Sequence, residues 1–306
     1  MDTISALAVA SLDGKRSGHE EGRMSQLDKM SLEGKIAIVT GGGRGLGREM
    51  SLYMARAGAD VAVAARTVSE IEAVAKEVRA IGRKALAIRT DVTSPQQVQA
   101  MVDQTIAELG HVDIMISNAG GGGSSKPIWD TDLEKDMAPA LALDMYTHFY
   151  CAQSVLKHMV ERQSGKIMFN GSAAFWNKGG RHGQIHSLAE GGTANLARSL
   201  AITFAQDNIQ VNVLGTGLFL TQYLTGGRRR GDDTGAVAPR RPADMSAQFL
   251  AAKRRAEAWE EAPLVVFLAS DASNYITGQI VYIDGGIQQC GFAPMNYAPT
   301  IPLTRR

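Results

Sequence analysis

His186 and Glu190 lie four residues apart in a run of helical pattern, so one helix face carries an imidazole beside a carboxylate. A carboxylate next to an imidazole favours its protonated form, and such a pair can give a proton to a substrate or take one near neutral pH. The second stretch with chemical meaning is Thr40-Gly41-Gly42-Gly43-Arg44-Gly45-Leu46-Gly47. Glycines at 41, 45 and 47 permit a tight turn, let a pyrophosphate approach the backbone and let the next helix pack close to its strand. That helix turns its unbonded N–H groups and positive dipole end toward the anion. Cys151 and Cys290 are far apart and supply neither a metal-ligand spacing nor a disulfide framework, so no metal site is expected.

These residues need a scaffold, and the chain alternates short apolar runs with longer helical patterns. Strands are predicted near Ile36–Val39, Val61–Ala65, Ala85–Arg89, Val112–Ser117, Lys166–Asn170, Gln210–Leu214 and Gln279–Ile283. After the glycine turn, Leu46, Met50, Met54 and Ala57 recur at helical spacing, and after Pro95 so do Val98, Met101, Val102, Ile106 and Leu109. Repeated β-α alternation with apolar strands implies a doubly wound α/β domain, a parallel sheet covered on both faces by right-handed crossovers. In such a sheet ligands bind beyond the carboxyl ends of the strands. Those ends read Thr40-Gly41, Arg66-Thr67, Thr90-Asp91-Val92, Asn118-Ala119-Gly120, Gly171-Ser172 and Gly215-Thr216-Gly217, a cluster of mostly small or polar residues.

Residues 1–33 lack a sustained period and are expected to form a flexible arm, 34–286 a single domain, and 287–306 an extended tail with Pro294, Pro299 and Pro302. Near 225–255 the basic runs Arg228-Arg229-Arg230, Arg240-Arg241 and Lys253-Arg254-Arg255 suggest either a lid that meets an anionic substrate or a solvated loop. In 306 residues, 32 Lys and Arg balance 31 Asp and Glu, so no global field points to nucleic acid or an anionic membrane as partner. No apolar stretch approaches the ~20 residues of a membrane-spanning helix, and a soluble, cytoplasmic protein is expected.

The glycine turn, Asp91-Val92, Asn118-Ala119-Gly120, the Ala197-Arg198-Ser199-Leu200-Ala201 segment and Tyr275-Ile-Thr-Gly-Gln-Ile-Val-Tyr-Ile-Asp-Gly-Gly286 together resemble the short-chain dehydrogenase/reductases. The resemblance runs from about Leu32 to Gly286. It implies a Rossmann-like sheet of seven parallel strands, a nicotinamide cofactor, a small-molecule substrate and a homodimer or homotetramer built through long helices. It also implies that Gly41, Gly43, Arg44, Gly45, Leu46 and Gly47 cradle the cofactor. Asp91 and Val92 would lie near its adenine, Asn118, Ala119 and Gly120 on the central strand, and Gly217 and Thr221 on the nicotinamide side. Thr216-Gly217 departs from the family's usual Pro-Gly. Cofactor choice follows from charge: an acid at the end of the second strand holds the 2′-hydroxyl of NAD, whereas Arg welcomes the 2′-phosphate of NADP. That end reads Ala64-Ala65-Arg66, and Arg66 with Arg44 favours NADP(H).

The family's chemistry is run by Asn, Ser and a Tyr-x-x-x-Lys pair. Aligning Arg198-Ser199-Leu200-Ala201 puts His186 at the Tyr position and Glu190 at the Lys position. Phe149 and Gln153 put Asp144 at the Asn position, and only Ser172 is retained. Three readings fit. His186 can serve as a replacement acid/base while NADPH reduces a carbonyl, an imine or a conjugated C=C. The scaffold can instead run a lyase, isomerase or hydratase reaction with His186 as base, or serve as a silent NADP-binding subunit. His182 is a second candidate acid/base. Phe175, Trp176, Tyr146, Phe149, Phe219 and Tyr223 are candidates for an apolar substrate pocket or for core.

Overall fold

The computed structural model describes residues 28–121, 126–173, 183–221 and 250–290. Seven parallel strands form one sheet: β1 Ile36–Thr40, β2 Asp60–Ala65, β3 Ala85–Arg89, β4 Ile114–Ser117, β5 Gly165–Ser172, β6 Ile209–Thr216 and, after two short strands, β9 Ile280–Ile283. The short strands β7 (Phe219–Leu220) and β8 (Ala256–Glu257) pair with each other. The predicted strands are all present, the fourth starting at Ile114 rather than Val112.

Strand order is β3-β2-β1-β4-β5-β6-β9. The order reverses between β1 and β4, which opens a crevice beyond their carboxyl ends. β1 is buried at every residue, as expected of a central strand covered on both faces. Helices α1 (Gly45–Arg56), α2 (Val68–Ala80) and α6 (Ala262–Ala269) pack one face, through Met50, Met54, Ile71, Val78 and Val265. Helices α3 (Pro95–Leu109), α4 (Thr147–Arg162) and α5 (Gln184–Phe204) pack the other, through Val98, Met101, Cys151, Met159 and Ala197. α3 starts where the sequence says it must: Pro95 occupies the first turn and the Ser94 hydroxyl accepts the Gln97 N–H.

A helical run from Leu133 leads into α4, with π-type turns at Leu133–Met137 and Ala142–Tyr146. The second of these carries Asp144 and turns it inward, so that it is buried. Residues 28–33, grouped above with the arm, lie against the body: Leu32 is fully buried and its N–H donates to the Ala57 carbonyl. Most of the basic segment, together with His182, Phe175, Trp176 and Tyr223, lies outside the described residues. Among the described residues no helix is long and apolar enough to cross a membrane.

Candidate active site

The glycine turn leaves β1 at the sheet's reversal point and enters α1. Gly41 and Gly45 have φ of +65° and +54°, the left-handed region where a side chain is strained. Gly47 is needed for a different reason. A Cβ there would stand 2.3 Å from the Gly41 carbonyl oxygen and 2.6 Å from Asn118 Nδ2. A Cβ on Gly41 would likewise meet Asn118 Nδ2 at 2.9 Å, and one on Gly43 would meet the Glu70 side chain at 2.9 Å. The glycines thus let the turn close onto Asn118 as well as onto a ligand. Leu46 packs partly on the core. Thr221 lies beside Gly45, within 3.6 Å of where a Cβ would stand, so the chain beyond β7 returns to the turn. Gly217 is pressed against the backbone of Asp284, which a Cβ would approach to 2.5 Å.

The other strand ends gather at the same edge. The Asn118 and Ala119 N–H groups donate to the Thr40 hydroxyl at 2.9 and 3.1 Å, tying the end of β4 to that of β1. Asp91 accepts from Thr93 N and Oγ1 at 3.0 and 2.7 Å, while Val92 points into the core and leaves only its backbone to a ligand. Arg66 is exposed after β2, and Arg44 lies 3.9 Å from Glu70 in the first turn of α2. Glu70 escaped the sequence argument, and a phosphate at Arg44 would have to share the guanidinium with it.

The four candidate catalytic residues divide into one connected group. Asp144 Oδ1 accepts the Gly121 N–H at 2.9 Å, next to Gly120, and its Oδ2 lies 3.4 Å from His186 Nδ1. On the other side of the ring, His186 Nε2 is 3.6 Å from Glu190 Oε1, too far for a hydrogen bond. Glu190 Oε2 accepts the Ser172 backbone N–H at 3.1 Å. The imidazole therefore stands between two buried carboxylates, each anchored to the backbone at a different strand end. The expectation that His186 and Glu190 share a face, with Asp144 near by, is met by this geometry.

Two groups emerge only in three dimensions. His148, one turn after Asp144, is buried, contacts the Ser117 hydroxyl through Nδ1 at 2.8 Å, and is pushed down to about 4 by burial, against the pull of Asp144. It is a neutral imidazole near pH 7. Its spacing from Asp144 was the available signal. Glu261, fully buried at the start of α6, is pushed up to about 7 by burial, opposed by its contact with Thr216. Of the aromatic candidates, Tyr146 and Phe149 are exposed and Phe219 is buried in the interior.

Comparison with known proteins agrees with the fold. Residues 35–230 match the sequence profile of the short chain dehydrogenases. The 7alpha-hydroxysteroid dehydrogenase of Escherichia coli (strain K12) is 32% identical over 263 residues, covering 86% of this chain and 98% of that protein. The crystal structure of a 7alpha-hydroxysteroid dehydrogenase with NADH and 7-oxo glycochenodeoxycholic acid is similar with a TM-score of 0.77 and 30% identity, over 86% of this chain and 98% of that one. A gluconate 5-dehydrogenase from Burkholderia cenocepacia J2315, in complex with NADP and tartrate, is similar with a TM-score of 0.76 and 28% identity, over 87% and 99%. With the seven-stranded order, the glycine turn and these matches in agreement, the chain belongs to the short-chain dehydrogenase/reductase family of oxidoreductases.

Proposed function

We propose that the protein is an NADP(H)-dependent oxidoreductase that reduces a carbonyl, imine or conjugated C=C of a small organic substrate, with His186 as the acid/base. The observation that carries this is the placement of His186 between Asp144 and Glu190, with Glu190 joined to Ser172, at the sheet edge where the glycine turn opens.

The residues present fit a phosphorylated dinucleotide. The crowding at Gly41 and Gly47 leaves a backbone-lined turn, and no acid ends β2. The N–H groups at the start of α1 would hold the pyrophosphate, Arg44 and Arg66 the 2′-phosphate, Asp91 the adenine side, and Gly217 and Thr221 the nicotinamide side. When bound, the nicotinamide supplies or accepts a hydride. The protein's own residues handle the proton. Asp144 holds Nδ1 of His186, which leaves Nε2, without a hydrogen bond among the described residues, to exchange a proton with the substrate. Glu190 keeps the ring's orientation, and Ser172 is positioned to orient the substrate's polar atom.

Non-redox chemistry with His186 as base, in a lyase or isomerase, draws on the same geometry, because the carboxylate of Glu190 replaces a cation beside the nucleotide. A silent NADP-binding subunit is the remaining alternative. The deciding experiment is NADPH oxidation over a panel of carbonyls, enones and imines, with wild type against His186→Ala. Turnover by wild type that survives unchanged in the variant would remove His186 from the mechanism, and turnover without change in NADPH absorbance would favour the non-redox alternative. We also propose a homodimer or homotetramer through α4 and α5, whose Phe149, Leu188 and Ile202 are 48, 53 and 83% exposed.

A further inference from the structure

A chain of buried polar side chains crosses the sheet just beneath the crevice. Glu261 Oε1 contacts the Thr216 hydroxyl at 2.5 Å at the end of β6. Thr216 also contacts Asn170 Oδ1 on β5, Asn170 Nδ2 donates to Asn118 Oδ1 at 2.7 Å, and Asn118 Nδ2 donates to the Thr40 carbonyl at 2.9 Å. The far end fixes the direction of every bond. A backbone carbonyl only accepts, so Asn118 must turn its amide nitrogen to Thr40 and its oxygen to Asn170. Asn170 then offers nitrogen to Asn118 and oxygen to Thr216, and the single Thr216 proton goes to Asn170. The Thr216–Glu261 contact has only one remaining source of a proton, the carboxyl of Glu261.

We propose that Glu261, as a protonated carboxylic acid, is a positioning residue that completes this chain by donating to Thr216, and that through Asn170 and Asn118 the completed chain holds the glycine turn in its nucleotide-binding shape. Two further observations support it. Glu261 Oε2 is buried without a hydrogen-bond partner, a state far cheaper for a neutral acid than for a carboxylate. Asn118 Nδ2 is the atom against which Gly41 and Gly47 are packed, so its orientation is transmitted directly to the turn. Glu261 forms no ion pair among the described residues. On α1, which packs on the start of α6, Arg48 pairs with Glu49 and Glu77, and Arg56 lies over Tyr53. In the turn before Glu261, Glu260 pairs with Arg254 and Glu257 caps the turn. β6 and α6 carry no charged residue.

Ionisation of Glu261 would take the Thr216 proton for itself and leave Asn170 without its donor. The inference rests on the proposed nucleotide binding for one arm of its test only. Titration of the full-length protein with NADPH from pH 5.5 to 8.5 should show affinity falling about fivefold more in wild type than in Glu261→Gln, which donates at every pH. The titration of the 2′-phosphate is common to both proteins and cancels. Thr216→Val should bind at all pH values as weakly as alkaline wild type. Equal pH dependence in wild type and Glu261→Gln overturns the proposal. The second arm needs no cofactor: the infrared C=O band of a buried protonated carboxyl should be present in wild type at pH 5.5, fade as the pH passes about 7, and be missing in Glu261→Gln. Its absence from wild type at pH 5.5 overturns the proposal whether or not NADPH binds, whereas a normal band without NADPH binding overturns only the nucleotide arm and the proposed function.

Discussion

Glu190 Oε2 accepts the backbone N–H of Ser172 at 3.1 Å, so a side chain on α5 fastens the last residue of β5. Its other oxygen faces His186. These two duties separate by mutation. Glu190→Ala leaves a partly buried N–H without that acceptor and should lower unfolding free energy by roughly 1–3 kcal/mol in urea titrations. Glu190→Gln keeps an acceptor and removes the charge, so stability should change by less than in the alanine variant while kcat still falls. Equal stability losses in the two variants would mean that the charge, not the bond, holds the strand end.

His186→Ala should reduce kcat on the active substrate by about 10²–10⁴, the usual contribution of a positioned acid/base. NADPH affinity should stay within about threefold of wild type, since the ring touches carboxylates and not the glycine turn. Stopped-flow measurement with a fluorescence titration separates the two quantities.

Two buried groups should tilt stability in opposite directions with pH. Glu261 has its folded value raised to about 7 from 4.5, so its contribution is complete below about 4.5 and is lost as pH rises through 7. His148 has its folded value lowered to about 4 from 6.5, so its contribution is present above about 6.5 and is lost as pH falls through 4. Each is worth at most roughly 3 kcal/mol, and between about 4.5 and 6.5 they oppose each other. Denaturant titrations should therefore give a flat wild-type profile in that window. Glu261→Gln should become more stable as pH rises through it, and His148→Phe less stable. Parallel profiles in all three proteins would rule out both assignments.

Cofactor choice is testable at the end of β2. Arg66→Ala should weaken NADPH by about tenfold, the worth of one charge-assisted bond, and leave NADH nearly unchanged. Ala65→Asp places a carboxylate where the 2′-phosphate would lie and should invert the preference, read by titrating both cofactors. Because Glu70 lies 3.9 Å from Arg44, Glu70→Gln should strengthen NADPH binding by a few-fold. A loss of NADPH affinity there would mean that Glu70 orients Arg44 rather than competing for it.

The sheet was legible because each strand is a short apolar run closed by small polar residues, and because helical spacing of Met50, Met54, Val98 and Val102 survives without tertiary information. His186 and Glu190 were legible because four residues on a helix fix a shared face. Asn170, Thr216 and Glu261 were not, since nothing local joins them. Asn170 and Thr216 meet because β5 and β6 pair through to Ser172 and Thr216, and Glu261 joins from the start of a helix 45 residues further on. Polar residues at strand ends read as ordinary turn chemistry until register aligns them. Arg44 with Glu70 was hidden for the same reason: the partner sits on the following helix.

The strand order also fixes a timetable. β3, β2 and β1 form one wing, and β4, β5, β6 and β9 are then added outward from β1 in the order in which they are synthesised. β4 lands on the free edge of β1, and every other strand of the sheet lands on the free edge of the sheet strand made just before it, so a chain emerging from the ribosome never has to open a formed pair to admit a later one. The polar row from Thr40 through Asn118, Asn170 and Thr216 to Glu261 is assembled in the same sequence. Its first member, the Thr40 carbonyl, sets the direction and its last, Glu261, closes the row, so the row is complete only when synthesis has passed the start of α6.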